Sequence, residues 1–290
     1  MIGKTLKHLR VDKGFSLRKT SEGILSPSQL SKIENNAQIP SSDKFLHLLS
    51  RMNINYDEFC LYSDDAYLKI RNQLNTQIDE TLRKNNLFEI KKLINELEDY
   101  ERKFFDDYFM HMKCILKASY TLLLTNNDYK QARSEIEPVV EYLNSIENWY
   151  SYEFLLFNNS LFFFDIDRAI SIGDKALKNI KRRYLIFKDD EMTRRLLNNL
   201  AIYTLTDKKY YMQSYYYSST AIGLPKSTKH IYNTIYAKII NQVACYKLDN
   251  IEFNPQQLSN LINWFLLINM EDIYKEVRSF VEGHGIKLDE

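Results

Sequence analysis

The sequence predicts an all-α chain, and three observations carry that expectation. Glycine and proline are scarce, 7 Gly and 5 Pro in 290 residues, too few for the many turns of a sandwich or barrel. Apolar residues recur at intervals of three and four, as in Leu68, Leu74, Ile78 and Leu82 and again in Leu87, Ile90, Leu93, Ile94 and Leu97, which is the spacing of one helical face. Short polar breaks separate these periodic stretches. The length calls for two domains, and Ser63-Asp64-Asp65 marks their boundary, giving 1–64 and 65–290.

Residues 1–64 should hold five short helices. Leu6 and Leu9 form the apolar face of the first, which carries Lys4, Lys7 and Arg10 and stops near Gly14. Ser16 caps a second, from Leu17 to about Glu22, and Gly23-Ile24-Leu25 turns into the third. Ser26 can accept from an orphan N–H of that third helix, and Pro27 suits a first position where no N–H is needed. Leu30 and Ile33 share its apolar face, while Ser28, Gln29 and Lys32 fall on another. Such a helix meets the requirements of major-groove reading. Standing alone it would suit an amphipathic surface helix better; the turn-separated second helix before it favours reading. Pro40 then breaks the chain, Ser41 or Ser42 caps a fourth helix with Phe45, Leu48 and Leu49 inward, and Asn55 to Phe59 offers a fifth.

Charge agrees with a nucleic-acid partner for this head. Residues 1–52 carry nine Lys or Arg against four acids, a net of +5, and the remainder is net −4, so the overall +1 hides a basic head on an acidic body. That distribution suits phosphate contacts from the head, with salt-dependent affinity.

Residues 3–62 resemble the XRE (Cro/C1-type) helix-turn-helix family, in the basic first helix and the closing run Ser28-Gln29-Leu30-Ser31-Lys32-Ile33-Glu34. The resemblance implies that Arg10 pairs with Glu34, as a structural ion pair more than a phosphate contact. Lys7, Arg18 and Lys19 then remain as phosphate candidates, with Ser16 through its helix N-terminus. Ser28, Gln29 and Lys32 are the base-edge candidates, since Gln suits adenine bidentately and Lys suits guanine. Two positions depart from the family pattern. Asn35-Asn36 stand where a basic residue and Gly are usual, and Asn tolerates the left-handed conformation. Thr20-Ser21 replace Leu-Ala, which predicts looser packing of the second helix.

Beyond residue 65 the breaks fall near Lys84–Asn86, Asn126–Asp128, Ser145–Asn148, Asp165–Asp167, Lys188–Asp190, Thr206–Lys208, Pro225–Thr228, Asn254–Pro255 and Asn269–Glu271. Two segments resemble tetratricopeptide helices: Asp167 to Leu177, with small residues at Ala169 and Ala176, and Leu197, Leu200, Ala201, Tyr217 and Pro225 as positions of a whole repeat. Ala132, Ala169 and Gln213 occupy equivalent places at unequal intervals. An α-solenoid of degenerate tetratricopeptide-like helix pairs is therefore expected in preference to a non-repetitive bundle. Such arrays present a groove suited to an extended peptide or a helix. First helices line it, and aligning on Ala201 puts Arg195 and Asn198 there, with Asn158 in the preceding pair and Lys238 and Asn241 in the following one. Asn offers donor and acceptor to an extended backbone, and Arg or Lys can take a carboxylate. A solvated face without ligand is the alternative for each. Tyr210, Tyr211, Tyr215, Tyr216 and Tyr217 cannot all be buried, so some should line a groove or an interface. The segment from Leu258 to Ile268 reads as a C-terminal cap or a dimer contact.

Other chemistry has no support in these residues. Asn260, Asn263 and Asn269 interrupt the most apolar late segment, so no membrane span is expected, and the polar, basic start is no signal peptide. Cys60, Cys114 and Cys245 make no disulfide framework and suit a cytoplasmic protein. The histidines His8, His47, His111, His230 and His284 form no metal spacing; His111 and Cys114 make at most half a site. No phosphate loop or catalytic constellation occurs, so neither cofactor nor enzymatic activity is expected.

Over its full length the chain resembles the Rgg/GadR/MutR transcriptional regulators. Beside the head, the resemblance is carried by Ile54, Asp57, Glu58 and Phe59, and by Trp149, Tyr152, Glu153, Leu156, Phe157 and Asn159 in the body. It implies a homodimer that binds operator DNA and a short, apolar intracellular peptide pheromone, as in quorum sensing. The alternative is a helix-turn-helix regulator whose repeat domain only dimerises or binds another protein.

Overall fold

The computed structural model describes residues 2–126, 128–186 (for 181–186 the backbone), 191–225, 231–249 and 252–288. Among them every regular element is helical. The chain divides into two compact units, Met1–Asp106 and Asp107–Glu290.

The first unit contains α1 (Ile2–Asp12), α2 (Leu17–Ser21), α3 (Pro27–Glu34), α4 (Ser42–Arg51), α5 (Tyr56–Tyr62), α6 (Ala66–Arg83) and α7 (Leu87–Phe104). The expected punctuation is in place. Ser16 Oγ accepts from the Lys19 N–H at 3.1 Å, and Gly14 turns the chain with φ 67°. Asn55 and Glu58 close a reciprocal capping box at α5, which runs one turn further than the sequence suggested. Asp65, at the expected domain boundary, caps α6 through the Leu68 N–H. Leu6, Leu9, Leu30, Ile33, Leu48, Leu49, Met52, Ile54 and Phe59 form one buried core. Looser packing at α2 does not follow from Thr20 and Ser21. Both are buried, and their hydroxyls bond back to the Ser16 and Arg18 carbonyls, so the hydroxyls cost little where Leu-Ala would otherwise sit.

The second unit contains α8 (Asp107–Leu124), α9 (Tyr129–Glu135), α10 (Glu137–Ser145), α11 (Ser151–Ser160), α12 (Ile166–Ile186), α13 (Glu191–Thr204), α14 (Tyr211–Gly223), α15 (Ile231–Lys247), α16 (Pro255–Leu267) and α17 (Glu271–Gly283). The repeat logic is visible in the packing. α14 is wedged against both α13 and α15, and α11, α13 and α15 meet in succession as first helices. The small residues do the work expected of them: Ala132, Ala169, Ala176 and Ala201 are fully buried, where any larger side chain would push helices apart. Gln213, at the equivalent place in α14, leaves its Oε1 buried without a hydrogen-bond partner, the cost of a degenerate repeat. Of the tyrosines, Tyr210 and Tyr217 are buried and Tyr216 is 55 % exposed.

Two boundaries depart from the expected breaks. Phe105 ends α7 in the left-handed region at φ 53°, with no Gly or Pro in the neighbourhood to announce it. α9 and α10 part at Ile136, where Pro138 in the first turn of α10 is the signal. Asn127, the break at Lys188–Asp190, most of the break at Pro225–Thr228, and His230 lie outside the described residues. No helix among the described residues is long and apolar enough to cross a membrane.

Candidate DNA-reading head and ligand groove

The third helix of the head is held from behind by one charged residue. Arg10 is 9 % exposed and Glu34 3 %. The guanidinium grips the carboxylate with both arms, Nε to Oε1 at 2.6 Å and Nη2 to Oε2 at 2.8 Å. Nη1 donates to the Phe15 carbonyl at 2.7 Å, so one side chain ties α1, the end of α3 and the start of α2. The Glu34 contact also pushes the Arg10 pKa further up. This is the structural pair that the family resemblance implied. A second close fit lies beside it. Gly3 is buried, and a Cβ built there would stand 1.9 Å from the Ile33 carbonyl oxygen. Only glycine lets α1 lie this near the end of α3. Asn36, which follows, adopts φ 58°, as its identity suggested.

With Leu30, Ile33 and Glu34 turned inward, Ser28, Gln29 and Lys32 are all exposed on α3, and so are Lys7, Ser16, Arg18 and Lys19. Two of these carry local ties. Ser26 Oγ accepts from the Gln29 N–H at 3.2 Å, and Gln29 Oε1 accepts from the Ser26 N–H at 3.1 Å, a closed capping box. Lys19 Nζ sits 4.2 Å from the Phe15 ring centroid. Arg51 was not among the expected residues; its Nη1 donates to the Lys19 carbonyl at 3.2 Å, anchoring α2 to α4.

In the body the expected groove residues separate. Asn158 is buried on α11, and its Oδ1 accepts from Asn199 Nδ2 on α13 at 2.9 Å. Asn198 is 2 % exposed; its Nδ2 donates to the Asn233 carbonyl at 2.9 Å, bridging α13 to α15, while its Oδ1 is buried with no partner. Arg195 is exposed on α13. Across from it on α15, Tyr232 stacks on Tyr236. Burial raises both phenols, Glu276 on α17 raises them further, and Arg195 draws Tyr232 back down. Asn199, Tyr232 and Glu276 are thus groove candidates that the repeat alignment did not single out; their signal is position one residue or one turn from the aligned asparagines.

Lys238 and Asn241 are turned elsewhere. Asn241 Nδ2 donates to Ser218 Oγ at 3.1 Å and Ser219 Oγ at 2.9 Å, both on α14. Lys238 lines a separate cleft with the ends of α13 and α14. The alignment placed the two on the groove side, but α14 packs against that face of α15. Of the body motif, Trp149 is buried with its indole N–H on the Ile146 carbonyl. Glu153, also buried, accepts from the Tyr142 hydroxyl and the Tyr150 N–H, each at 2.7 Å. These residues set the start of α11 and offer nothing to solvent. The three cysteines are buried and unpaired, and burial pushes the Cys245 thiol up to about 11.

Known proteins supply the frame for this geometry. Residues 3–61 match a helix-turn-helix domain family. Residues 67–279 match the family described as HTH-type transcriptional regulator Rgg, C-terminal domain. Among solved structures, a chain from Listeria monocytogenes superposes with a TM-score of 0.78 at 17 % identity, covering 99 % of each chain. The SHP pheromone receptor Rgg2 from Streptococcus dysgalactiae gives 0.74 at 21 % identity, over 98 % of this chain and 99 % of that one. PlcR from Bacillus thuringiensis, solved with the peptide PapR7 and DNA, gives 0.65 at 16 % identity, over 95 % and 98 %. With the family match spanning most of the chain and a helix-turn-helix domain before it, this protein belongs to the Rgg family of transcriptional regulators.

Proposed function

We propose that the chain acts in the cytoplasm as a homodimeric transcriptional regulator that binds operator DNA through residues 1–64 and a short apolar peptide through residues 65–290. The observation that carries this reading is the division of polar groups in the head. Arg10 and Glu34 are buried against each other, while Ser28, Gln29, Lys32, Arg18 and Lys19 are left exposed around one helix pair. That is the arrangement of a positioned reading helix flanked by phosphate contacts. Dimerisation would double the few base contacts one head can make.

The peptide reading is supported by likeness to receptors solved with peptides and by the first helices of the body. Asn158, Asn199 and Arg195 there, with Tyr232 beside them, offer an amide pair for an extended backbone, a cation for a carboxylate and an aromatic wall. No catalytic step is part of this proposal. Its test is a titration of promoter-region DNA with the full chain, followed by fluorescence anisotropy, with and without a panel of short apolar peptides. The expected result is salt-dependent binding, weakened by Gln29→Ala and Lys32→Ala, and shifted by at least one peptide in a manner lost in Asn199→Ala. Operator affinity indifferent to both substitutions would overturn the DNA part; indifference to every peptide would overturn the sensing part.

A further inference from the structure

A second ligand cleft lies outside the groove just described, and its argument is independent of the peptide reading. It occupies about 330 Å³ between the end of α14 and the first half of α15, with α13 contributing one residue, a volume at the lower end of small-molecule sites. Its walls are Ile222, Leu224, Ile231 and Ile235. All four are branched or aliphatic, and no aromatic ring is among the lining residues. Such walls grip a flexible alkyl chain and offer no stacking partner to a flat ring. Ile231, Thr234, Ile235 and Lys238 follow one another at three and four on one face of α15. Tyr232 and Tyr236 project roughly a third of a turn away round the helix.

The polar content of the cleft is one-sided. Lys238 is half-buried and makes no hydrogen bond or ion pair with any described residue. Arg194, 3 % exposed, also lines the cleft; its Nη1 donates to the Ala221 carbonyl and its Nη2 to the Pro225 carbonyl at 3.0 Å. Two neutral carbonyls hold its position and leave its charge in place. No acidic residue lines the cleft. Two cations over aliphatic walls, without a carboxylate among the lining, form an incomplete electrostatic arrangement, since partly buried charge is ordinarily paired. An anion attached to an alkyl tail completes it.

We propose that this cleft binds a small aliphatic carboxylate. The tail lies against Ile222, Leu224 and Ile235, the carboxylate accepts from Lys238 Nζ, and Arg194 contributes its field from behind. A singly charged headgroup is preferred to a phosphate because one ammonium is the only cationic donor not already engaged by backbone.

Isothermal titration of the full chain with octanoate tests this. Saturable binding is expected at one octanoate per chain, weakened about tenfold or more in Lys238→Met, which keeps the apolar stem and removes the charge. Octan-1-ol should bind at least as weakly as that. Ile235→Trp should fill the cleft and abolish binding, with helicity by circular dichroism and melting temperature confirming that each variant folds. Asn199→Ala, on the other face, should bind octanoate as the parent does. No saturable octanoate binding by the parent chain would overturn the proposal, as would equal binding by Lys238→Met. Loss of octanoate in Asn199→Ala would place it in the groove and also overturn it. So would Lys238-dependent binding of a free peptide C-terminus by a chain that ignores octanoate.

Discussion

In the head, one buried arginine reaches three segments and one buried glutamate answers it; every side chain suited to reading DNA is left outside. In the body, amides do the fastening. Asn158 joins Asn199, Asn198 joins the Asn233 carbonyl, Asn241 joins two serines of α14, and Asn179 holds the Trp149 N–H and the Glu147 carbonyl. The same residue types that look like ligand contacts in a sequence are there the links between successive helices. The head therefore presents a surface that needs no rearrangement to be used. A ligand that engages the asparagines of the body must alter a helix–helix contact, which couples binding to packing.

That contrast can be broken at several points. The largest effect is expected from Glu34→Gln or Arg10→Met, each of which strands one buried charge or its partner. Unfolding of the head should become easier by about 3 kcal/mol, read by urea titration, and a loss near zero would remove the clamp from the account. Gly3→Ala should follow at about 2 kcal/mol, because its Cβ must displace the Ile33 carbonyl; a melting temperature equal to the parent's would show that α1 can slide. In the body, Asn198→Ala should cost about 1 kcal/mol, moderated because the unpartnered Oδ1 is removed as well. In stability the exposed readers should matter least, within about 0.5 kcal/mol. Yet Arg18→Ala should lower the salt slope of operator binding by about 1, and Lys32→Ala should relax preference at one base position.

A smaller effect concerns pH. Burial, and then Lys247, hold the His284 pKa below its ordinary 6.5. The unfolded chain therefore takes up this proton first as pH falls. The stability contributed by neutral His284 is complete above about 6.5 and declines as pH drops through the depressed folded value. His284→Gln should flatten that part of the stability profile, and an unchanged profile would assign the slope to other groups.

Much of the head could be read from its residues because its determinants are local. Ser16, Ser26, Asn55 and Asp65 each cap within three residues of themselves, and Asn36 supplies its own unusual backbone angle. The body was legible where a small residue had to be buried, at Ala132, Ala169 and Ala201. The faces of α15 were not, because repeat alignment fixes which residues share a face but not which neighbour covers it. Hence Asn241 meets α14 and Tyr232 lies near Arg195. The stop at Phe105 had no local signal at all, since an aromatic residue in the left-handed region is selected by surroundings and not by propensity.

The capping box at the start of α3 bears on what the helix can ask of a base pair. While Gln29 Oε1 is taken by the Ser26 N–H, its amide faces outward as a donor only. The two-way match to adenine, which needs an acceptor and a donor together, requires that box to open, at about 1 kcal/mol. A donor alone is complementary to the acceptor edge of guanine or to O4 of thymine. Local helix chemistry, settled before any DNA arrives, thus narrows the alphabet available to this position.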